Sequence, residues 1–188
     1  MSYDHNECRS VLFESLLSAL SAHANLIREL ESEHRTEWRS GICALSYDIL
    51  PWQAFIAIDF CTASDDYPAV KLTPADDCWS GYELIGVHNA EEQLTPAIDY
   101  VFNLHQTYPD SRELYHLIWM AAADALLDPK IAEVLRSAGL AVDAAADEMP
   151  DSSKITHVVT DMDRVFEGNY CEMIVAQRVM SRLLKDGI

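Results

Sequence analysis

Lysine and arginine are scarce in this chain, whose 188 residues contain 13 of them against 31 aspartates and glutamates. The formal net charge is −18 and the isoelectric point is about 4.5. Nucleic acids and anionic membranes bind basic surfaces, so this balance argues against both as direct ligands. An excess of acid favours encounter with a basic protein, although it also serves solubility alone.

Features of secreted and membrane proteins are missing as well. The first residues, MSYDHNECRS, lack the basic start and apolar run of a signal peptide. No apolar stretch approaches the roughly 18 residues that span a membrane. The cysteines are odd in number and widely spaced, without a C-x-x-C pair, which favours reduced thiols and a cytoplasmic location. They are Cys8, Cys43, Cys61, Cys78 and Cys171.

Patterns typical of catalysis are incomplete. Six glycines leave little room for a phosphate-binding loop, and no G-x-S-x-G motif is present. Glu113 and His116 have the i, i+3 spacing of a metal pair, but a di-metal bundle needs a second such pair, which the chain lacks. Cys171 with His157 is the best candidate for a nucleophile and its base, although a cysteine is more often a small buried apolar residue.

Acidic doublets offer oxygen ligands for a divalent cation. Asp65–Asp66, Asp76–Asp77 and the Asp161-x-Asp163 pair are the examples. The glycine and the further ligands of a calcium loop are missing at the required offsets. We therefore predict no metal, no cofactor and no catalytic residues, and interpret Asp161 and Asp163 as turn residues after a strand.

The chain has the length of one domain, and we predict a single α+β domain over residues 1–188. Apolar residues at intervals of three and four predict one long amphipathic helix over 4–35. Short aromatic and aliphatic stretches predict strands at 42–47 and 52–61, with further strand candidates at 69–72, 82–87 and 155–160.

Helix-start signals dominate the second half of the chain. Thr95–Pro96 predicts a helix to about residue 106, and Asp110 with Glu113 predicts another through residue 127. Asp128–Pro129 begins a third helix that ends at Gly139, and Asn169 with Glu172 begins the last one, to residue 184. We expect a mainly antiparallel sheet flanked by the long N-terminal helix and several C-terminal helices.

The acidic residues are unevenly distributed. Residues 59–99 carry nine acids against Lys71, a net −8, and residues 143–163 carry six acids against Lys154, a net −5. Residues 164–188 carry a net +1, from four bases and three acids. Acids in predicted loops beside aromatic residues suit a contact surface for a basic protein. The predicted partner-binding residues are Asp65, Asp66, Asp76, Asp77, Trp79, Tyr82, Glu83, Glu91, Glu92, Asp147, Glu148 and Asp151.

One segment carries a resemblance to a known class of protein. Pro74, Asp77, Trp79 and Tyr82 form a P-x-x-D-x-W-x-x-Y pattern, and the later helices contain AAADALLDPKIAEVLRSAGL. In this order of elements the chain resembles small bacterial proteins found among the immunity proteins of polymorphic-toxin systems. The resemblance implies a non-enzymatic α+β inhibitor of a cognate toxin and supplies no catalytic residue.

The leading hypothesis is therefore an immunity-type inhibitor that binds a basic toxin or effector through acidic loops, with no oligomeric state implied. A DNA-mimic inhibitor of a nucleic-acid-binding enzyme is the second hypothesis, and it requires carboxylates spaced like phosphates along one face. A metal-dependent or cysteine hydrolase that uses His116, Asp161 or Cys171 is the third.

Overall fold

The computed structural model describes residues 3–35, 37, 40–62, 87–142, 155–160 and 168–185, apart from the side chains of 87–91. Within these ranges the chain has an α+β fold with a small mixed sheet. The helices are α1 (His5–Ala22), α2 (Ala24–His34), α3 (Val87–Thr107), α4 (Arg112–Leu126), α5 (Pro129–Ser137) and α6 (Tyr170–Lys185). The strands are β1 (Ile42–Leu50), β2 (Phe55–Thr62) and β3 (Thr156–Val158), with a 3₁₀ turn at Pro51–Gln53.

The N-terminal helix is not continuous, which corrects the prediction of one long helix over 4–35. It breaks at His23, where α1 and α2 meet at a bend of 64°. The His23 ring nitrogen Nδ1 lies 2.9 Å from the Ala19 carbonyl oxygen, at the last turn of α1. Apolar residues in α2 still keep the helical interval, so periodicity alone did not reveal the bend.

Within the described residues, no single helix combines the length and the apolar character needed to cross a membrane. In the same part of the chain, α1 and α2 taken together as a bent pair reach that length and composition.

The sheet has the order β2-β1-β3. β1 and β2 pair antiparallel, as the two predicted strands suggest, and the left-handed Ala54 (φ 49°) closes their connection. β3 pairs parallel to β1, with Leu45 opposite His157. The prediction of a mainly antiparallel sheet was therefore overstated, because the strand predicted at 155–160 joins the other edge of β1 in the same direction. The strand candidates at 69–72 and 82–86 lie outside the described residues, and Val87 belongs to a helix.

Two helix starts differ from the predicted ones. α3 begins at Val87, eight residues before the predicted N-cap Thr95, and Pro96 lies inside the helix. α4 is capped by Ser111, whose hydroxyl accepts from the Leu114 amide at 3.3 Å, while Asp110 adopts a left-handed φ of 60°. A proline can therefore mark a helix interior as well as its start, despite the missing N–H.

The remaining helix ends agree with the predictions. The Asp128 carboxylate accepts from the Lys130 amide at 3.0 Å and begins α5. After α5, Gly139 takes the positive φ of 95°, and the amide of Leu140 bonds back to Leu135, as in a Schellman motif. The Asn169 side chain accepts from the Cys171 amide at 3.0 Å and begins α6.

The core lies between one face of the β1–β2 pair and the helices α1, α3 and α4. Alternate residues of the two strands point to this face, as the period of two requires, and are buried. Trp119 of α4 packs on this core and donates its indole N–H to the Ile49 carbonyl at 3.0 Å. The strand residues concerned are Leu45, Tyr47, Ile49, Ile56, Ile58 and Phe60.

A buried carboxylate fixes the entry into the sheet. Glu31 of α2 accepts from the Ile42 amide at 2.6 Å and from the Arg35 guanidinium at 2.7 Å. Gly41 precedes this strand in close contact with α2, since a Cβ there would lie 2.1 Å from the Glu31 carbonyl oxygen. Only a glycine allows the chain to turn into β1 at this distance.

Candidate binding surface

The predicted partner-binding residues are only partly within the described residues. Glu92 is exposed on α3. Glu91 lies in the same helix, and its side chain is outside the described part. The other ten also lie outside it. They are Asp65, Asp66, Asp76, Asp77, Trp79, Tyr82, Glu83, Asp147, Glu148 and Asp151.

The described part of this acidic surface is a groove between α1 and α3. Its volume is about 370 Å³, and Glu14 of α1 and Glu92 of α3 both line it. Both carboxylates are exposed. We call it the α1–α3 groove. Its other lining residues are Ser10, Val11, Ser15, Ser18, Gln93 and Pro96.

The two helices carry further acids beside the groove. Glu7 lies seven residues before Glu14, and Asp99 lies seven residues after Glu92, so each pair falls on one stripe of its helix. Glu7 and Asp99 are exposed as well. The sequence of α3 contains no lysine or arginine, and that of α1 contains only Arg9. The charged residues that line the groove are therefore all acidic, and the Arg9 charge is paired on another side of α1.

One end of the α1–α3 contact is occupied by phenol and thiol groups. Tyr100 of α3 lies near Glu7 and Cys8 of α1, and burial together with the Cys8 thiol raises its pKa. Burial raises the pKa of Cys8 itself to about 12, against a hydrogen bond from Tyr3 that lowers it. These groups stay protonated at neutral pH, so the negative charge of this region comes from the carboxylates.

The opposite side of α1 carries charges that are paired. Arg9 donates to Asp124 of α4 at 2.6 Å and to Asp128, the cap of α5, at 2.7 Å. Arg178 of α6 donates to the other oxygen of Asp124 at 2.6 Å. The Asp124 carboxylate thus joins α1, α4 and α6, and Arg9 links them to the cap of α5 through Asp128. We call these four side chains the paired-charge cluster.

Basic side chains of α6 extend this side. A cleft of about 550 Å³ is lined by Arg178, Arg182 and Lys185 of α6, together with His5 and Asp124. Three of the four bases of residues 164–188 therefore lie on one stretch of α6, and Asp124 balances one of them. Arg164 lies outside the described residues.

Asp59 does not belong to the exposed acidic surface, although it was counted in the acidic stretch 59–99. It lies on β2 and is partly buried against Asp48 of β1, with which it shares a hydrogen bond. Burial raises the pKa of Asp48, against the hydrogen bonds from Asp59 and Ser46 that lower it. The Ser46 hydroxyl donates to Asp48 at 2.6 Å.

The residues of the hydrolase hypothesis are not assembled into a site in the described part of the chain. Glu113 is exposed, while His116 is partly buried and hydrogen-bonds Tyr170 through Nδ1. No group of three or more histidine, cysteine, aspartate or glutamate side chains that could hold a metal occurs among the described residues. Asp161 and Asp163 lie outside them.

Cys171 and His157 are close in the fold, but their environment does not suit a nucleophile and its base. Cys171 is buried, and this burial raises the pKa of its thiol, whereas a reactive cysteine needs a lowered one. Burial lowers the pKa of His157 to about 4. Asn169 joins the two segments by donating to the His157 carbonyl at 2.8 Å and accepting from the Cys171 amide. The arrangement anchors α6 to the end of β3.

The contribution of α1 to the acidic surface was not predicted from the sequence. We used its apolar residues to predict a helix and did not place Glu7 and Glu14, whose spacing of seven puts them on one exposed stripe. That spacing was the available signal. The contribution of α3 was not predicted either, because the predicted helix start at Thr95 placed Glu92 in a loop.

Comparison with protein-family models, with curated proteins and with solved structures returns no match.

Proposed function

We propose that this chain is a non-enzymatic binding protein. It acts as an immunity-type inhibitor that binds a basic toxin or effector. One observation carries the proposal: Glu14 and Glu92 face a common groove on two helices that offer it no basic residue. Within the described part of the chain neither carboxylate has an ion pair, so both can bind an external cation, whereas the carboxylates of the paired-charge cluster are already bound to arginine.

The groove suits the side chains of lysine and arginine. Each has an ammonium or guanidinium head that carboxylates bind by charge-assisted hydrogen bonds, and an aliphatic stem that packs on apolar surface. Glu14 and Glu92 supply the carboxylates, and Val11 and Pro96 supply the apolar lining. The serine hydroxyls and the Gln93 amide add neutral acceptors along the same groove.

The net charge of −18 affects the rate of association as well as the contact itself. An acidic surface draws a basic protein toward it and raises the association rate, and salt screens this effect over about 10 Å at 0.1 M. The same field repels nucleic acid and anionic lipid, so the partner we propose is a protein with a basic surface.

The test is an association experiment with purified proteins. The chain is immobilised, and the strongly basic proteins encoded by adjacent genes are passed over it one at a time at rising salt. An oligolysine peptide serves as the probe of charge alone. We expect one of these proteins to bind more tightly than oligolysine, with an association rate that falls steeply as salt rises.

Two double variants localise the contact. Glu14→Gln with Glu92→Gln removes two charges from the groove, and Glu29→Gln with Glu33→Gln removes two exposed charges from α2. We expect the first to slow association and the second to have little effect, although both change the net charge equally. Equal behaviour of the two variants would reject the groove as the contact, and binding of no adjacent product beyond oligolysine would reject the proposed function.

Duplex DNA distinguishes the DNA-mimic hypothesis in the same apparatus. If DNA displaces the chain from its partner, the partner uses one basic site for both ligands. If DNA and the chain bind together, the inhibitor acts at another surface of the partner.

A further inference from the structure

An irregularity in the β1–β2 ladder brings two cysteines to the same place. Ile42 pairs with Thr62 and Ala44 pairs with Cys61, so Cys43 is the additional residue of a β-bulge opposite Cys61. In a bulge, two residues of one strand oppose a single residue of the other. The register partner of Cys61 is Ala44, and the bulge places Cys43 beside Ala44 on the neighbouring strand. A disulfide spans Cα separations of about 4.4–6.8 Å, which is the scale of separations between residues on adjacent strands.

The side chains are already in contact. The Cys43 thiol lies 3.3 Å from the Cys61 carbonyl oxygen and donates to it. The Cys61 thiol is directed to the Thr62 carbonyl oxygen at 3.9 Å, and the nearby Cys43 thiol raises the pKa of Cys61. Cys8 and Cys171, by contrast, are buried at α1 and α6. Among the described cysteines, Cys43 and Cys61 are therefore the pair that the fold holds together.

From this geometry we infer that Cys43 and Cys61 are a modification site, at which a hydroperoxide oxidises the two thiols to a reversible cross-strand disulfide. The oxidant is a small hydroperoxide such as hydrogen peroxide, and a small dithiol is the reductant that reverses the reaction. The inference is independent of the proposed binding function, because neither cysteine lines the α1–α3 groove.

The two cysteines have different exposures, which assigns their roles. Cys43 is partly exposed, whereas Cys61 is only 9% exposed. The Cys43 thiol and burial raise the pKa of Cys61, so Cys61 retains its proton longer. Cys43 is therefore the residue that meets the oxidant, and Cys61 is the resolving thiol.

The reaction balances in two steps. The Cys43 thiolate attacks one oxygen of hydrogen peroxide, the O–O bond breaks, and the departing hydroxide takes a proton to leave as water, which gives Cys43 sulfenic acid. The Cys61 sulfur then attacks the Cys43 sulfur, and the S–O bond breaks. The departing hydroxide takes the Cys61 proton as a second water. Two thiols are oxidised and one peroxide is reduced.

Mass spectrometry of the whole chain tests the inference. The protein is reduced, freed of reductant, treated with hydrogen peroxide, and its remaining thiols are blocked with N-ethylmaleimide. Trypsin leaves both cysteines on one peptide, residues 40–71, so a second digestion with chymotrypsin, which cuts after Tyr47 and Trp52, is needed. We expect the two resulting fragments to stay joined until dithiothreitol is added. The intact mass, measured before blocking, should fall by two hydrogen atoms, and the blocked protein should carry two fewer N-ethylmaleimide groups than the reduced protein.

Single variants assign the bond. Cys43→Ser and Cys61→Ser should each abolish the joined fragments, and Cys61→Ser should accumulate a sulfenic acid on Cys43 that dimedone labels. Cys78→Ser and Cys171→Ser should keep the joined fragments. The wild-type digest alone decides the matter if a variant fails to fold. Retention of every thiol under peroxide that oxidises free glutathione, or fragments joined through Cys78, would overturn the inference.

Discussion

The two sides of α1 use their charges differently. On one side, Arg9 pairs with Asp124 and Asp128, and Arg178 completes the cluster. On the other side, Glu14 faces Glu92 of α3 across a groove to which neither helix contributes a base. The first arrangement joins four elements of the fold, and the second contributes little to it. The fold is stabilised where charges are balanced, and we propose that the unbalanced side is the part that binds a partner.

The exposure of the charged groups supports this division. Asp124 is 24% exposed and Arg9 is 27% exposed, so their interaction is less screened than one between fully solvated groups. Although burial raises the pKa of Asp124, hydrogen bonds from Arg178 and Arg9 lower it below its usual value overall. Each region can be changed separately, which gives four predictions in decreasing order of effect on stability.

Asp124→Ala should have the largest effect. It leaves Arg9 and Arg178 partly buried without their common acceptor, and we expect a loss of about 2 kcal/mol in the free energy of unfolding. Urea denaturation measures the loss. Glu133→Ala on the exposed face of α5 is the control and should change the same quantity by less than about 0.5 kcal/mol. Equal effects of the two variants would show that the cluster is not a structural junction.

Acid should weaken the paired-charge cluster. Because the pKa of Asp124 is lowered in the folded protein, its stabilising contribution is present above the unfolded value of about 4 and is lost as the pH falls through the folded value. We expect the stability difference between wild type and Asp124→Asn to shrink as the pH is lowered from about 5 to about 3. A difference that stays constant over this range would contradict the assignment.

The sequence predicted those parts of the fold whose signals are local. Asp128, Gly139 and Asn169 marked helix ends because their side chains or φ angles satisfy nearby backbone groups. The bend at His23 was not predicted, because the apolar interval continues through it. The parallel pairing of β3 with β1 was not predicted either, since it depends on contacts between residues more than a hundred positions apart.

For the candidate surface, too, local features could be predicted from the sequence and long-range contacts could not. The charge counts predicted Glu92 as a partner-binding residue, and it is exposed at the groove. The counts could not show that Glu14, nearly eighty residues earlier, lies across from it, because that neighbourhood is a result of helix packing. They also grouped Asp59 with exposed acids, although it lies beside Asp48 in the sheet.

Arg178→Lys should have a smaller effect than Asp124→Ala. Lysine keeps the positive charge, but it cannot reproduce the guanidinium, which bonds both Asp124 and, at 3.4 Å, the Leu127 carbonyl. We expect a loss of about 0.5–1 kcal/mol in the free energy of unfolding, the size of one lost hydrogen bond, measured by urea denaturation. Arg136→Lys on α5 is the matched control. If Arg178→Lys lost as much stability as Asp124→Ala, the geometry of the guanidinium would matter more than its charge.

The double variant Glu14→Gln with Glu92→Gln should have the smallest effect on stability and the largest on binding. Two exposed like charges near each other repel, so their removal should leave the free energy of unfolding unchanged to within about 0.5 kcal/mol or raise it slightly. The association rate with the basic partner should fall. Asp124→Ala should show the reverse, with lower stability and nearly normal association at temperatures where it remains folded. If the groove variant instead lost stability, its carboxylates would have internal partners, and the division between the two sides of α1 would be wrong.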